Sequence, residues 1–217
     1  MPEKMKFAMN YSTGKDCTLA LHRMITAGHE PVALIVAVHE FFGMSFIHGA
    51  RRSLLKKYEK ALGIPMIFME SRSKYDHEAA LIAAKKAKEM GAEVICNGNI
   101  AYEHANDHME KIAEETGLRS FSPLWNGKRE ELLSELFAGG YKCLIKCVKS
   151  EFDMKDILGK PLDKEIIERF RAKGADICGE NGCYHTMVTD GRIFKEPVSV
   201  EPGKIITSKG YDLIDLN

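Results

Sequence analysis

Apolar positions recur along this chain in two alternating rhythms. Residues 6–9 form a short apolar stretch that runs into Ser12-Thr13-Gly14-Lys15-Asp16, after which Leu19, Ala20, Met24 and Ile25 return at helical spacing up to Gly28. The run 32–38 is continuously apolar and branched, the pattern of a strand covered on both faces in a parallel sheet. The alternation then repeats. A helix at 54–62 stopped by Gly63 precedes a strand at 64–69, and an Ala- and Lys-rich helix at 75–90 stopped by Gly91 precedes a strand at 93–96. A helix at 103–116 stopped by Gly117 leads to a short apolar segment, 121–125, interrupted by Pro123; a helix at 129–138 before Gly139-Gly140 leads to a strand at 142–148.

This alternation over the first 150 residues predicts an α/β fold, a Rossmann-like doubly wound parallel sheet with helices on both faces. Beyond Ser150 the pattern changes to a helix at 164–172, a polar loop at 174–185, and two strand-like runs, 186–188 and 192–194, around Asp190-Gly191, a hairpin signal. The tail 198–216 alternates weakly, with Pro202-Gly203 read as a turn. The expected organisation is a first domain over 1–150 and a small C-terminal α+β subdomain over 151–217.

Composition narrows the function classes. With 45% hydrophobic and 29% charged residues the chain can bury a core and is neither disordered nor of low complexity. Lys plus Arg equals Asp plus Glu at 31 each, so no net positive charge drives binding to a nucleic-acid backbone. The longest apolar run, 31–38, is far shorter than the ~20 residues of a membrane-spanning helix. The first ten residues carry charge and no secretory apolar core, so a cytoplasmic protein without a membrane partner is expected. The six cysteines, 17, 96, 143, 147, 178 and 183, include no Cys-x-x-Cys pair and read as reduced, buried thiols.

The loop Ser12-Thr13-Gly14-Lys15-Asp16-Cys17 lies between the first strand and the first helix, where open parallel sheets seat phosphates. Backbone N–H groups at the helix start, the Ser12 and Thr13 hydroxyls and the Lys15 charge suit an anion, and Gly14 permits close approach. No Gly-x-Gly occurs, and none of the four Gly-Lys pairs has a glycine five residues earlier, so the dinucleotide fingerprint and Walker A motif are absent. His104 and His108 have two-histidine metal spacing, but with no third ligand anchored they read as a polar helix face. Gly179 to Thr186 is a small and polar loop that holds an acid, an amide and an imidazole in Glu180, Asn181 and His185.

The strand, Ser-x-Gly-x-Asp, helix arrangement resembles the loop of the PP-loop ATP pyrophosphatase superfamily. Gly98-Asn99-Ile100, the helix containing Glu110, Ser122-Pro123-Leu124-Trp125 and, above all, Cys178-Gly179-Glu180-Asn181-Gly182-Cys183-Tyr184-His185-Thr186 are similar to the diphthine-ammonia ligase family, over residues 6–195. The sequence departs from that pattern at Thr13, where the family has its second glycine, at Cys17 for a serine, and at Cys183 for a glutamate. Asn99, His104, Ala105 and His108 also differ, so the nucleotide half is better kept than the acceptor half.

The resemblance implies an enzyme that splits ATP between the α and β phosphates, adenylates a carboxylate and lets ammonia displace AMP to leave an amide. It implies ATP on Ser12, Thr13, Gly14, Lys15, Asp16 and Cys17 in the first domain, with Mg²⁺ accompanying ATP on Asp16. It implies catalytic roles for Lys15, Asp16, Glu180 and His185. Acceptor contacts would come from Asn99, Glu110, Trp125, Glu180, Asn181, Tyr184 and Thr186, with the C-terminal subdomain binding substrate. The acceptor carboxylate would be carried on a protein such as a diphthine-bearing elongation factor, and a homodimer is compatible with the sequence. The alternatives are a tRNA-modifying PP-loop enzyme and an adenine-nucleotide-binding protein without ligase activity. Neutral charge argues against the first, and Glu180 with His185 against the second.

Overall fold

The computed structural model describes residues 4–46, 49–73 and 76–217. Five strands, β1 (Lys6–Asn10), β2 (Glu30–His39), β3 (Met66–Ser71), β4 (Val94–Cys96) and β5 (Arg119–Phe121), form one parallel sheet in the order β3-β2-β1-β4-β5. The intervening helices are α1 (Lys15–Thr26), α2 (Arg52–Leu62), α3 (His77–Glu89) and α4 (Glu103–Thr116). Strand alternation decides which face each side chain serves. Phe7, Met9, Leu34, Val36, Val94 and Cys96 pack in the core that includes Leu19, Leu21, Leu54 and Leu55 of α1 and α2. Ala8, Ala33, Ile35, Ile67 and Ile95 face the alanines of α3 and Ile112 of α4. Both faces are therefore covered, as the unbroken apolar strands predict.

Helix ends follow local chemistry. Asp76 accepts the Ala79 N–H at 3.1 Å and so caps α3. Gly117 closes α4 in the left-handed region at φ 65°, where a side chain would be strained. The predicted bounds of α4, of α5 (Arg129–Ala138) and of α6 (Lys164–Ala172) agree with those observed; Tyr75, the predicted start of α3, lies outside the described residues.

The second half differs from its sequence reading in three places. The strand β6 (Lys142–Lys149), read as the last of the parallel sheet, is in a separate antiparallel sheet of order β7-β6-β9-β8, with β7 (Tyr184–Asp190), β8 (Pro202–Ser208) and β9 (Tyr211–Leu216). No hairpin forms at Asp190-Gly191: residues 192–193 are a turn, and Gly191 lies against the Tyr141 ring where any Cβ would overlap it. The hairpin turn is instead Lys209-Gly210, with φ of 50° and 79°, and it joins β8 to β9 in the geometry that two positive φ values favour. Pro202-Gly203 is consequently inside β8, an edge strand, where the missing proline N–H breaks no ladder.

Candidate active site

The order of the parallel sheet reverses at β1, whose neighbours β2 and β4 leave it on opposite sides, and ligand crevices form beyond the strand ends at such a point. A cavity of about 590 Å³ opens there. Its wall brings together Ser12, Gly14, Lys15, Asp16 and Cys17 from the first loop, Asn99 from the loop after β4, and Glu180, Asn181, Tyr184, His185 and Thr186 from the C-terminal half. Part of its lining is apolar, with Ile35, Ala37, Met69, Ala80, Ala84 and Ile95.

The first loop is shaped from within. Thr13 has φ 71°, and its carbonyl accepts the Val188 N–H at 2.8 Å; the backbone there is left-handed, where glycine is easiest. Its own hydroxyl is buried with no hydrogen-bond partner among the described residues. The Cys17 thiol closes the turn, donating to the Gly14 carbonyl at 3.1 Å and receiving the Ser12 N–H at 3.3 Å. Burial raises its pKa, so it stays a thiol and acts as a loop tie. Gly98 lets the chain after β4 pass against α1, since a Cβ there would lie 2.6 Å from the Cys17 nitrogen.

Lys15 knits the two halves. Its N–H donates to Thr186 Oγ1 at 3.0 Å, and its Nζ donates to the Cys178 carbonyl and to both Asp16 oxygens at 2.9 and 2.8 Å. The ammonium also lies 5.2 Å from the centre of the Tyr184 ring. Burial pulls its pKa down, but the Asp16 carboxylate outweighs that and holds it above the usual lysine range. The charge is therefore fixed in the wall of the cavity.

Glu180 is half-buried and accepts the Ala101 N–H on Oε2 at 3.1 Å. Burial, then the Asp16 charge, pushes its carboxyl above the ordinary range, despite that hydrogen bond and Lys15. Gly179 shapes the approach with φ 74°, because a Cβ would meet the Tyr184 carbonyl at 2.8 Å. Tyr184 is a supporting wall: its hydroxyl donates to the Ile177 carbonyl at 2.6 Å and its ring stacks on Phe170 at 4.3 Å. His185 lies opposite Cys147 in the β6–β7 register, and Asn181 is exposed at the loop tip.

Three residues predicted for the site stand apart from the cavity lining. Thr13, expected among the phosphate-binding residues, is fully buried behind the loop. Glu110 is exposed and accepts from Asn106 Nδ2 at 2.9 Å, and half-buried Trp125 is in a tight turn whose N–H donates to the Ser122 carbonyl. His108 lines the cavity while His104 is exposed; burial first, then His77 and His104, lowers the His108 pKa. Among the described residues no group of three metal-binding side chains forms, and all six cysteines are free and buried. Asn97 and Tyr211 are among the polar lining residues that escaped the sequence reading. Asn97 directly follows β4 and precedes Gly98, where a polar residue after an apolar strand is a usable signal; its Oδ1 accepts the Asn99 N–H at 2.9 Å. Tyr211 reaches the cavity from β9 and has no comparable signal.

Comparison with known proteins places this geometry in a lineage. Residues 5–120 match the diphthamide synthase N-terminal domain, and residues 128–216 match the diphthamide synthase C-terminal domain. Diphthine–ammonia ligases of Bos taurus and Homo sapiens are each 25% identical over 230 residues, covering 94% and 93% of this chain and 85% of each relative. The Schizosaccharomyces pombe protein of that name is 25% identical over 227 residues, which is 93% of this chain but 37% of the yeast protein. With both of its halves matched in order, this chain belongs to the diphthamide synthase family.

Proposed function

We propose that the chain is an ATP-dependent ligase that adenylates a carboxylate and aminates it with ammonia, releasing AMP and pyrophosphate. The observation that carries this reading is the Lys15 N–H to Thr186 bond, which sets an anion-binding helix start and an acid-bearing loop on one cavity.

ATP lies with its phosphates over Ser12–Cys17, where the start of α1 and the fixed Lys15 charge favour the pyrophosphate leaving group. Mg²⁺ would arrive with those phosphates, with Asp16 as its protein carboxylate, a sparse protein ligand set of the kind that suits Mg²⁺ bound to nucleotide; it supplies charge neutralisation on the phosphate oxygens. The acceptor carboxylate oxygen attacks the α phosphorus and the bond to pyrophosphate breaks. Ammonia nitrogen then attacks the acyl carbon and the bond to AMP breaks, leaving the amide. Ammonium must first lose a proton, and Glu180, whose carboxyl is raised by burial above the ordinary range, accepts it, with His185 on the same cavity wall. Asn99 and Asn181 orient the acceptor, and Tyr184 and Thr186 hold the wall. The relatives' name makes a diphthine-bearing elongation factor the acceptor to test first.

With Mg-ATP, ammonium and that acceptor, the protein should release pyrophosphate and AMP only when the acceptor is present. Glu180→Gln should lower this release by about 10², the scale of a lost general base, and leave Mg-ATP affinity near wild type. Equal loss of nucleotide binding would move the loop into the ATP site, and absence of release from the wild type would remove the ligase reading.

A further inference from the structure

The two peptides that flank Cys178 are each bound at both ends. In the first, the Ile177 carbonyl accepts the Tyr184 hydroxyl at 2.6 Å and the Cys178 N–H donates to Asp176 Oδ1 at 2.7 Å. In the second, the Gly179 N–H donates to the Asp176 carbonyl at 2.9 Å and the Cys178 carbonyl accepts the Lys15 ammonium. A trans peptide is planar with its N–H and C=O opposed, so the bond that Asp176 takes from Gly179 aims the Cys178 carbonyl the other way, at Lys15. Asp176 thus holds one end of each peptide, once through its backbone and once through its side chain, which accepts from the N–H two residues on as short carboxylates do in turns. Its other oxygen, Oδ2, accepts Arg129 Nε at 3.2 Å, and Arg129 is seated in turn by its Nη1 bond to the Gly127 carbonyl at 3.3 Å. Neither Asp176 nor Arg129 lines the cavity.

We propose that Asp176 is a positioning residue of the candidate site: its side chain, anchored on Arg129, fixes the turn at 176–179 whose Cys178 carbonyl holds the Lys15 ammonium in the cavity wall. The ammonium is bonded to the Asp16 carboxylate and to this carbonyl. Asp16 follows Lys15 in α1 and moves with it, whereas Cys178 belongs to the C-terminal half and directly precedes the loop that bears Glu180. The carbonyl therefore registers the charge of the first loop against the second, and Asp176 sets where that carbonyl points. The consequence for nucleotide rests on the reading in which Lys15 faces the phosphates of ATP.

Two substitutions separate the turn from the ion pair. Asp176→Asn keeps an oxygen for the Cys178 N–H and loses the charge that meets Arg129; Asp176→Glu keeps the charge, but its longer side chain no longer closes the local turn. In isotope-labelled full chain, exchange of the Lys15 ammonium protons with water is read by NMR, the signal being assigned by its loss in Lys15→Arg. That exchange should be about tenfold faster in Asp176→Glu and within about threefold of wild type in Asp176→Asn, because a hydrogen bond to a charged group is worth about a factor of ten. Mg-ATP affinity by calorimetry should fall in the same order. An ion pair that only stabilises the fold predicts the reverse, with Asp176→Asn the perturbed variant. Unchanged exchange or unchanged Mg-ATP affinity in Asp176→Glu, or an Asp176→Asn variant as perturbed as Asp176→Glu, would overturn the proposal. A wild type that binds no Mg-ATP would instead remove the nucleotide reading, and the Lys15 exchange alone would then decide whether Asp176 positions the charge.

Discussion

Thr13 is a β-branched residue held at φ 71°, and its buried hydroxyl has no partner among the described residues. Thr13→Gly removes both liabilities. A non-glycine residue in this backbone region costs about 1–3 kcal/mol, and a buried unpaired hydroxyl costs about as much again. Against this, the variant loses a buried methyl, about 0.8 kcal/mol, and frees the unfolded backbone, about 0.5–1 kcal/mol. The balance favours glycine by about 2 kcal/mol at mid-range, a rise in Tm of about 4–8 °C for a chain of this size. The backbone carbonyl that receives Val188 is untouched, so the fold keeps its bond. Urea unfolding of wild type, Thr13→Ala and Thr13→Gly separates the two contributions, because alanine drops the hydroxyl and keeps the Cβ. The expected order of stability is Gly above Ala above Thr. A glycine variant no more stable than the alanine variant would show that the left-handed backbone carries no strain, and an alanine variant equal to wild type would show that the buried hydroxyl carries no cost.

Gly98→Ala should do the opposite: its Cβ would lie 2.6 Å from the Cys17 nitrogen and 2.7 Å from the Asp16 carbonyl carbon. Backbone must move, at about 2–3 kcal/mol in urea unfolding, and calorimetric Mg-ATP affinity should fall about tenfold as the start of α1 shifts; an unchanged variant in both assays would refute this. Glu180 gives a pH signature, since its raised carboxyl makes the neutral form the favoured one in the fold. That stabilisation is complete below the ordinary glutamate pKa and is lost as pH rises through the raised one. Glu180→Gln stays neutral, so its stability relative to wild type should increase as pH rises above the ordinary glutamate range, and a difference independent of pH would contradict the assignment.

Legibility in the sequence followed the range of the forces involved. The ends of α4 and α6 rest on neighbours a few residues away, Gly117 for one and Asp163 for the other, whose carboxylate accepts the Ile166 N–H at 2.8 Å. The partner of β6 is a non-local matter: a strand buried on both sides reads alike in a parallel or an antiparallel setting, and only its bonds to β7 and β9 decide. Asp190-Gly191 carries a hairpin signal, yet Asp190 is engaged by Lys142 at 2.9 Å and the Tyr141 ring occupies the space beside Gly191. In the site, motif residues close in sequence, Ser12 with Gly14–Cys17 and Gly179–Gly182 with Tyr184–Thr186, came together as a group. Tyr211 joined them through sheet packing, and Glu110 and Trp125 were left outside because the α4 face and the turn that carry them point elsewhere.

The bond between the Thr13 carbonyl and the Val188 N–H also orders events during synthesis. A ribosome releases the N-terminal strands first, and domains organise as their segments emerge. The five-stranded sheet can assemble then, but its ligand loop lacks the strand that fixes Thr13 and the threonine that fixes Lys15. A nascent or prematurely ended chain thus carries an unfinished loop, which takes its final form only when β7 docks.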